Sequence, residues 1–190
     1  MNTEIYFVRH AHSVFDIENE ELRGLSDKGR RDAEKVTEIL YSESIDHIVS
    51  SPYIRAIETV EGLSQLIHTK IEKDNRFREG CLAANDYIFE DPMEAFRYSM
   101  ENPNFSYPGG ETSNEVKERG LEALNELLHN YKGKKIAIGI HGNIMSNIMN
   151  HFDSNYDFNF WNSTTKPDIY KLTISESNQL LNTVRLWEEN

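Results

Sequence analysis

The stretch EIYFVRHAHS, from Glu4 to Ser13, decides the fold, because an apolar strand runs directly into three basic side chains. Residues 5–8 are continuously apolar, the pattern of a strand that is buried on both faces of a sheet. Arg9, His10 and His12 follow where this strand ends. Three explanations are open: an anion site, a metal site, or polar residues that lie at a surface.

The composition indicates one globular domain with an acidic surface. The 190 residues are 38% hydrophobic, and 32 acidic against 20 basic side chains give a formal net charge of −12. This charge disfavours nucleic acid as a partner, whereas a few local arginines can still bind a small anion. The single cysteine, Cys81, excludes an intramolecular disulfide. No apolar run approaches the roughly 20 residues of a membrane span, and the N-terminus lacks a basic signal segment, so we expect a cytoplasmic protein without a membrane partner.

Strand and helix patterns alternate along the chain. A helix in residues 25–43 follows the first strand, and a second strand at 48–49 precedes a helix with Ser51 as expected N-cap and Pro52 as first helical residue. A third strand is expected near Ile71. Further on, Thr112 and Glu115 have the spacing of a capping box, and a fourth strand at 134–140 precedes another helix. KPDIYKLTIS (166–175) and LLNTVRLWEE (180–189) predict a terminal hairpin or two edge strands.

This alternation predicts an α/β fold. We expect a three-layer sandwich, in which helices flank a mostly parallel central sheet. Residues 1–190 are expected to form a single domain. Residues about 80–110 mix aromatics, prolines and acids, and are expected to form an insertion over the carboxyl ends of the strands, on the substrate side.

Basic side chains recur where the predicted strands end. Arg55 falls in the first turn of the second helix, and His141 and Gly142 follow the fourth strand. Ligands of open α/β sheets bind at the carboxyl ends of the strands, where these side chains meet Arg9 and His10. Such a group of cations would repel one another unless an anion lies between them. Phosphate fits, because a guanidinium matches its oxygens, a neutral imidazole can act as nucleophile, and a glycine lets the backbone approach closely.

A metal site is the rival interpretation of the same histidines. His10 and His12 would face the same side of an extended backbone, and His141 could be a third ligand. Two arginines beside a divalent cation are unfavourable, and the sequence offers no convincing further ligand. We therefore expect no metal.

The motifs, taken in order, resemble the histidine phosphatase superfamily, in particular its phosphoglycerate mutase-like branch. VRHAHS (8–13) is similar to the family's Arg-His-Gly motif, with Ala11 in the glycine position. The other similar segments are LSDKGRRDA (25–33), SSPYIRAIET (50–59), FREG (77–80), GGETSNEV (109–116) and GIHGN (139–143). Each string is weak evidence alone, but the ordered combination is specific.

The resemblance implies a metal-independent phosphatase without a cofactor, which hydrolyses small phosphomonoesters through a phosphohistidine intermediate. Its partner would be a small phosphorylated substrate, and the protein a monomer or a homodimer. The implied catalytic residues are His10 as nucleophile, Glu79 as proton donor to the leaving oxygen, and His141. The implied phosphate-binding residues are Arg9, Arg55, Ser13 and Gly142.

Two other functions stay open: a phosphoglycerate mutase, or a sensor that binds a phospho-ligand without turnover. The mutase motif usually has an asparagine where this chain has Asp16, and an arginine and a tyrosine where residues 80–82 read GCL. The insertion holds a single arginine, Arg97, with which to bind a phosphoglycerate carboxylate. These departures favour a phosphatase over a mutase.

The insertion also leaves a choice for its apolar side chains. We expect Cys81 to be a small buried residue, and the alternative is a redox-sensitive residue close to Glu79. The aromatic side chains either pack the insertion against the domain or form an apolar wall for the substrate. They are Tyr87, Phe89, Phe96, Tyr98, Phe105 and Tyr107.

Overall fold

Six strands form one sheet with the first strand near its centre. The computed structural model describes residues 1–16 and 19–188. The strands are β1 (Thr3–Arg9), β2 (His47–Ser50), β3 (Ile71–Lys73), β4 (Lys135–Ile140), β5 (Asp168–Ile174) and β6 (Leu180–Arg185). The helices are α1 (Asp27–Ser42), α2 (Ile54–Leu66), α3 (Pro92–Glu101), α4 (Ser113–Asn130), α5 (Gly142–Phe152) and α6 (Phe158–Ser163). A 3-10 turn covers Asn75–Phe77.

The strand order is β3-β2-β4-β1-β5-β6. β1, β2, β3 and β4 run parallel to one another, whereas β5 is antiparallel to β1 and β6 is antiparallel to β5. The predicted α/β fold with a mostly parallel sheet is therefore confirmed.

Helices cover both faces of the sheet, as the continuous apolar pattern of β1 requires. Side chains alternate along a strand, so Ile5 and Phe7 point to one face while Tyr6 and Val8 point to the other. The first pair packs in a core with side chains of α4 and α5, the second pair in a core with those of α1 and α2. All four side chains are fully buried. The sandwich thus has the three layers that the sequence predicts.

The register brings the ends of β1 and β4 to the same level. Arg9 is paired with Ile140 of β4 on one side and with Asp168 of β5 on the other. The residues that directly follow these two strands, His10 after β1 and His141 after β4, therefore leave the sheet side by side. A hydrogen bond from the His10 N–H to the Ile140 carbonyl oxygen, at 2.9 Å, extends this pairing.

The start of α2 differs from the prediction. The helix begins at Ile54 with Tyr53 in the N-cap position, so Ser51 is not the N-cap and Pro52 is not helical. The backbone N–H of Tyr53 instead donates to the Ser51 hydroxyl at 3.3 Å, which forms a turn before the helix. Arg55 still falls in the first helical turn.

The other expected elements are largely present. Thr112 and Glu115 form the predicted capping box at the start of α4. The terminal hairpin is present. Of its two strands, only β6 lies at an edge of the sheet, because β5 pairs with β1 along its whole length. β6 ends at Arg185, and the last residue of the predicted strand, Glu189, lies outside the described residues. Within the described ranges, no helix is long and apolar enough to cross a membrane.

Candidate active site

His10 follows β1 and is almost completely buried, with 4% of its surface exposed. Its Nδ1 lies 2.7 Å from the carbonyl oxygen of Ala11. Because a carbonyl oxygen only accepts, Nδ1 carries the hydrogen and Nε2 keeps its lone pair. Burial and the positive charge of Arg55 hold the pKa of His10 well below its ordinary value. The imidazole is therefore neutral at neutral pH, with Nε2 as the basic atom.

Arg55 approaches this basic nitrogen from α2. Its Nε donates to His10 Nε2 at 3.2 Å, and its side chain is 1% exposed. Each terminal nitrogen of this guanidinium donates one hydrogen to Glu20: Nη1 to the backbone oxygen at 2.5 Å, and Nη2 to Oε1 at 2.7 Å. Glu20 also accepts from Arg23 Nε at 2.6 Å. One carboxylate thus bridges two guanidinium groups, which shows that the arginine pair accommodates an anion.

Arg9 is held on the other side of His10. Its Nη1 donates to the Thr164 carbonyl oxygen at 3.1 Å and to the Thr164 hydroxyl, and its Cζ lies 5.9 Å from the ring centroid of Trp161. A Cβ at Gly142 would lie only 2.7 Å from Arg9 Nη2. The space beside this glycine is therefore taken by the Arg9 guanidinium, whereas the sequence suggested close approach of a ligand.

His141 stands at the end of β4 with its ring 0% exposed. Its ring centroid is 5.2 Å from that of His10, in an edge arrangement. Nε2 lies 2.7 Å from the Ser51 hydroxyl oxygen. Burial, then the neighbouring His10 and Arg55, hold the pKa of His141 well below its ordinary value. If the hydroxyl donates to Nε2, the neutral ring carries its hydrogen on Nδ1 and can donate it to a phosphate oxygen.

Two nitrogen atoms of this group have unused hydrogen-bonding capacity. Among the described residues, Arg9 Nε and His141 Nδ1 are buried without a protein partner. Buried polar atoms normally have a partner, since an unpaired one is costly. An oxyanion between the two side chains can satisfy both.

Glu79 reaches the same place from the loop after the 3-10 turn. Its Oε1 accepts from the backbone N–H of Gly80 at 2.9 Å and of Ile144 at 3.3 Å, and its Oε2 accepts from Asn143 at 3.4 Å. The carboxyl group thus lies at the N-terminus of α5. It is half-buried, so it can reach both the arginine cluster and the adjoining surface.

The catalytic cavity, as we call this space, has a volume of about 200 Å³. It brings together Arg9, His10, Arg55 and Glu79 from distant parts of the sequence, with His141 packed against His10. Sequence reasoning assigned no site role to several other lining residues: Glu20, Arg23, Gly80, Leu82, Asn143, Trp161 and Lys166. Partial burial and the charges of Arg9 and Arg23 lower the pKa of Lys166.

Four of the candidate residues lie outside the cavity lining: His141, which packs against His10, Gly142, which lies against Arg9, and Ser13 and His12. Ser13 is buried, and its hydroxyl accepts an N–H from Arg23, so it can influence an anion only through that arginine. His12 is exposed, and its Nδ1 lies 2.8 Å from the Ser26 hydroxyl. The structure therefore does not bring His12 together with His10 and His141. Within residues 1–16 and 19–188, no cluster of three or more His, Cys, Asp or Glu side chains could hold a metal ion.

The insertion contributes to the site in part. Phe96 of α3 lines the catalytic cavity, whereas Tyr87, Phe89, Tyr98 and Tyr107 line a separate cavity of about 480 Å³. Most of the predicted aromatic wall is thus a surface of the insertion itself. The expectation for Cys81 was wrong, because this side chain is exposed.

Comparison with known proteins identifies the family. The model of the histidine phosphatase superfamily (branch 1) matches residues 5–189. The chain belongs to the histidine phosphatase superfamily. This confirms the resemblance that the ordered motifs predict.

Relatives in this superfamily carry phosphatase and mutase names. The chain is 28% identical to the uncharacterized phosphatase PhoE of Bacillus subtilis, over 74% of this chain and 72% of the relative. It is 32% identical to the probable phosphoglycerate mutase GpmB of Salmonella choleraesuis, over 73% and 69%. Among solved structures, mycobacterial glucosyl-3-phosphoglycerate phosphatase superposes with a TM-score of 0.77 at 17% identity, covering 98% of this chain and 99% of that one. The last likeness concerns the fold alone.

Proposed function

We propose that this protein is a metal-independent phosphatase, which hydrolyses small phosphomonoesters through a phosphohistidine on His10. The protonation of His10 carries the proposal: Nδ1 is committed to the Ala11 carbonyl oxygen, and a basic Nε2 lies beside the arginines. A neutral imidazole nitrogen among phosphate-binding cations is the arrangement that in-line attack on phosphorus needs.

The first step transfers the phosphoryl group to the protein. Arg9, Arg23 and Arg55 bind the phosphate oxygens and oppose the charge that spreads over them in the transition state. His10 Nε2 forms a bond to phosphorus while the bond from phosphorus to the alcohol oxygen breaks. Glu79, in its protonated form, gives its proton to the leaving oxygen.

The second step releases phosphate. The Glu79 carboxylate, now without its proton, takes one from a water molecule that attacks phosphorus. The bond between phosphorus and Nε2 breaks, and the electron pair returns to the imidazole. His141 donates from Nδ1 to a phosphate oxygen throughout, while its Nε2 is held by Ser51. The protein returns to its starting state.

Several features support hydrolysis rather than a mutase reaction or passive binding. The nucleophile and proton donor lie in one cavity, which a sensor without turnover does not need. The insertion's Arg97 stacks on Phe158 at 4.7 Å, pairs with Glu94 at 3.7 Å and does not line the catalytic cavity. The name of PhoE points to phosphatase activity, although the name of GpmB points to a mutase.

Covalent labelling tests this function. With a radiolabelled phosphomonoester and a chelator present, we expect turnover, and alkaline quenching should trap a label that acid releases. His10→Ala should abolish both signals. His12→Ala, which removes an exposed neighbouring histidine, is the matched control and should retain both. Turnover and labelling that persist in His10→Ala would exclude the mechanism, and phosphoglycerate interconversion that depends on a bisphosphate primer would identify a mutase instead.

A further inference from the structure

A second cavity, of about 380 Å³, opens beside the catalytic cavity. The two share Glu20, Glu79 and Gly80 as walls. If Glu79 protonates the leaving oxygen, the leaving alcohol must lie next to this carboxyl group, and the second cavity begins there. We call it the alcohol cavity. Its other lining residues are Asn19, Glu21, Leu22, Tyr53, Cys81 and Asn85.

The alcohol cavity has the opposite charge from the catalytic cavity. Its lining residues include no Lys, Arg or His among the described parts of the chain, and residues 17 and 18 are not basic either. The Glu20 carboxylate is neutralised by Arg23 and Arg55. Glu21 remains, and its carboxylate is close enough to act on Tyr53: burial and the charge of Glu21 raise the pKa of this phenol. The cavity is therefore acidic, with neutral amides at its rim.

The segment that carries Glu21 is fixed to the domain. The backbone N–H of Ile54 donates to the Glu21 carbonyl oxygen at 3.0 Å, at the start of α2. The N–H groups of Leu22 and Arg23 both donate to the Asn19 carbonyl oxygen at 2.9 Å, which closes a turn. A backbone held in this way limits where the Glu21 carboxylate can move. The Glu21 side chain itself is exposed, but its backbone keeps the carboxylate at the wall of the alcohol cavity.

This charge distribution discriminates among phosphomonoesters. A substrate that bears a carboxylate would bring a second negative group to an acidic wall, in a protein whose net charge is already −12. A substrate ammonium group in the same position would be attracted to this acidic wall. A neutral polyol would meet only hydrogen-bonding groups.

We propose that the alcohol cavity selects phosphomonoesters whose alcohol carries an ammonium group, over neutral ones, and disfavours those that carry a carboxylate. This inference rests on the proposed phosphatase function. It assigns a substrate class to the site and makes Glu21 a specificity-determining residue.

Two substrates of similar size and opposite charge provide the test. Phosphoethanolamine and phosphoglycolate differ mainly in an ammonium against a carboxylate, and glycerol phosphate is the neutral reference. We expect kcat/KM to fall in the order phosphoethanolamine, glycerol phosphate, phosphoglycolate. Glu21→Gln should reduce the ratio between the charged substrates by about tenfold, as expected for removing one charge near a water-filled cavity. Glu21→Lys should reduce it further.

A control separates this local effect from the overall charge. Glu38→Gln removes the same charge from an exposed position on α1 and should leave the ratio unchanged. An equal or higher kcat/KM for phosphoglycolate, or a ratio insensitive to Glu21→Lys, would overturn the inference while the phosphatase function stands. Failure to hydrolyse even p-nitrophenyl phosphate would overturn the proposed function, and the inference with it.

Discussion

The carbonyl oxygen of Ala11 determines which nitrogen of His10 can attack phosphorus, since it holds the hydrogen of Nδ1. Because a backbone group accepts this hydrogen, the alanine in place of the family's glycine is compatible with the proposed role of His10. Its methyl group is fully buried with Leu25 and Ala33. The departure from the motif thus changes the packing at this position, while the hydrogen bond that His10 Nδ1 donates to the backbone carbonyl oxygen is unaffected.

Gly142 is the residue whose small size matters most for the cavity. A methyl group there would lie within 2.8 Å of three Arg9 guanidinium atoms, including Nη2 and Nε. Because the obstacle is the end of a side chain, we expect Gly142→Ala to displace the guanidinium while the fold persists. The expected result is a loss of kcat/KM of about ten- to a hundredfold, from the loss of one phosphate contact, with less than about 1 kcal/mol lost in unfolding free energy.

A double-mutant cycle identifies the cause. If Gly142→Ala acts by moving Arg9, it should have almost no further effect on kcat/KM in an Arg9→Ala background. Additive losses would show that the methyl group disturbs α5 or the approach of substrate instead. Steady-state kinetics of the four proteins settle this, and denaturant unfolding provides the stability values.

At the scale of elements, α4 fixes the loop that carries Glu79. Arg119 of α4 donates to the carbonyl oxygens of Arg76 at 2.7 Å, Arg78 at 2.8 Å and Glu79 at 3.2 Å. The same guanidinium pairs with Glu111 at 2.8 Å and 3.0 Å. Helix and loop are therefore joined at the residues directly before the proposed proton donor. Arg119 is a positioning residue in this arrangement.

Arg119→Gln should consequently impair proton donation more than phosphate binding. We expect kcat for an alkyl phosphate to fall about tenfold or more, because its leaving oxygen needs a proton. The loss for p-nitrophenyl phosphate, whose leaving group needs none, should be much smaller. Inhibition by inorganic phosphate should change little.

Glu118→Gln changes the exposed neighbour on the same helix and should behave as the wild type. Equal losses on both substrates would indicate a general structural role for Arg119 and contradict positioning. Rescue of the alkyl phosphate reaction is not expected from Arg119→Lys, because an ammonium group cannot bind several carbonyl oxygens and a carboxylate in one plane.

The elements that follow from local patterns could be predicted, and those that depend on tertiary contacts could not. The strand before Arg9 and the capping box at Thr112 are local, and both are present. α2 starts later than expected because the Ser51 hydroxyl binds His141, a residue far along the chain. The short α6 packs its Trp161 against Phe96 at 4.4 Å, a contact that no local period indicates.

The same distinction applies to the site. Arg9, Arg55 and His141 follow strand ends, where the parallel topology brings them together, and the family motifs added Glu79. Arg23 comes from a loop, and its relation to the cavity depends on the bridge through Glu20 to Arg55. Neither the hydrophobic periodicity of the sequence nor a position at the end of a strand predicts such a bridge.

At the scale of the whole molecule, a basic pocket is buried in an acidic protein. Both histidines of this pocket are kept neutral by burial, with further contributions from the neighbouring positive charges. An unfolded chain offers each histidine water and an ordinary pKa near 6.5. Protons therefore bind to the unfolded state first as the pH falls, and folding stability becomes dependent on pH.

The sign of this dependence follows directly. Above about pH 6.5, neither state binds these protons, so the stability is fully present. Below it, the unfolded chain takes up protons that folded His10 and His141 do not, and the unfolding free energy falls. The slope approaches about 1.4 kcal/mol per pH unit for each histidine, or about 2.7 for both. Urea unfolding at intervals between pH 7.5 and 5 measures it.

Two variants measure how much of the pH dependence of the unfolding free energy comes from His10 and His141. His10→Ala and His141→Ala should each remove about half of the slope, whereas His12→Ala, at an exposed position, should leave it unchanged. Carboxylates contribute mainly below this range, because the unfolded chain protonates them near pH 4. Asp46 is an example: in the folded protein the backbone N–H of Lys135 lowers its pKa, so its contribution is lost as the pH falls toward 4. A stability that is flat from pH 7.5 to 5, or that rises on acidification, would mean that the folded pocket accepts these protons. The neutral nucleophile on which the proposed mechanism depends would then be lost over the same pH range.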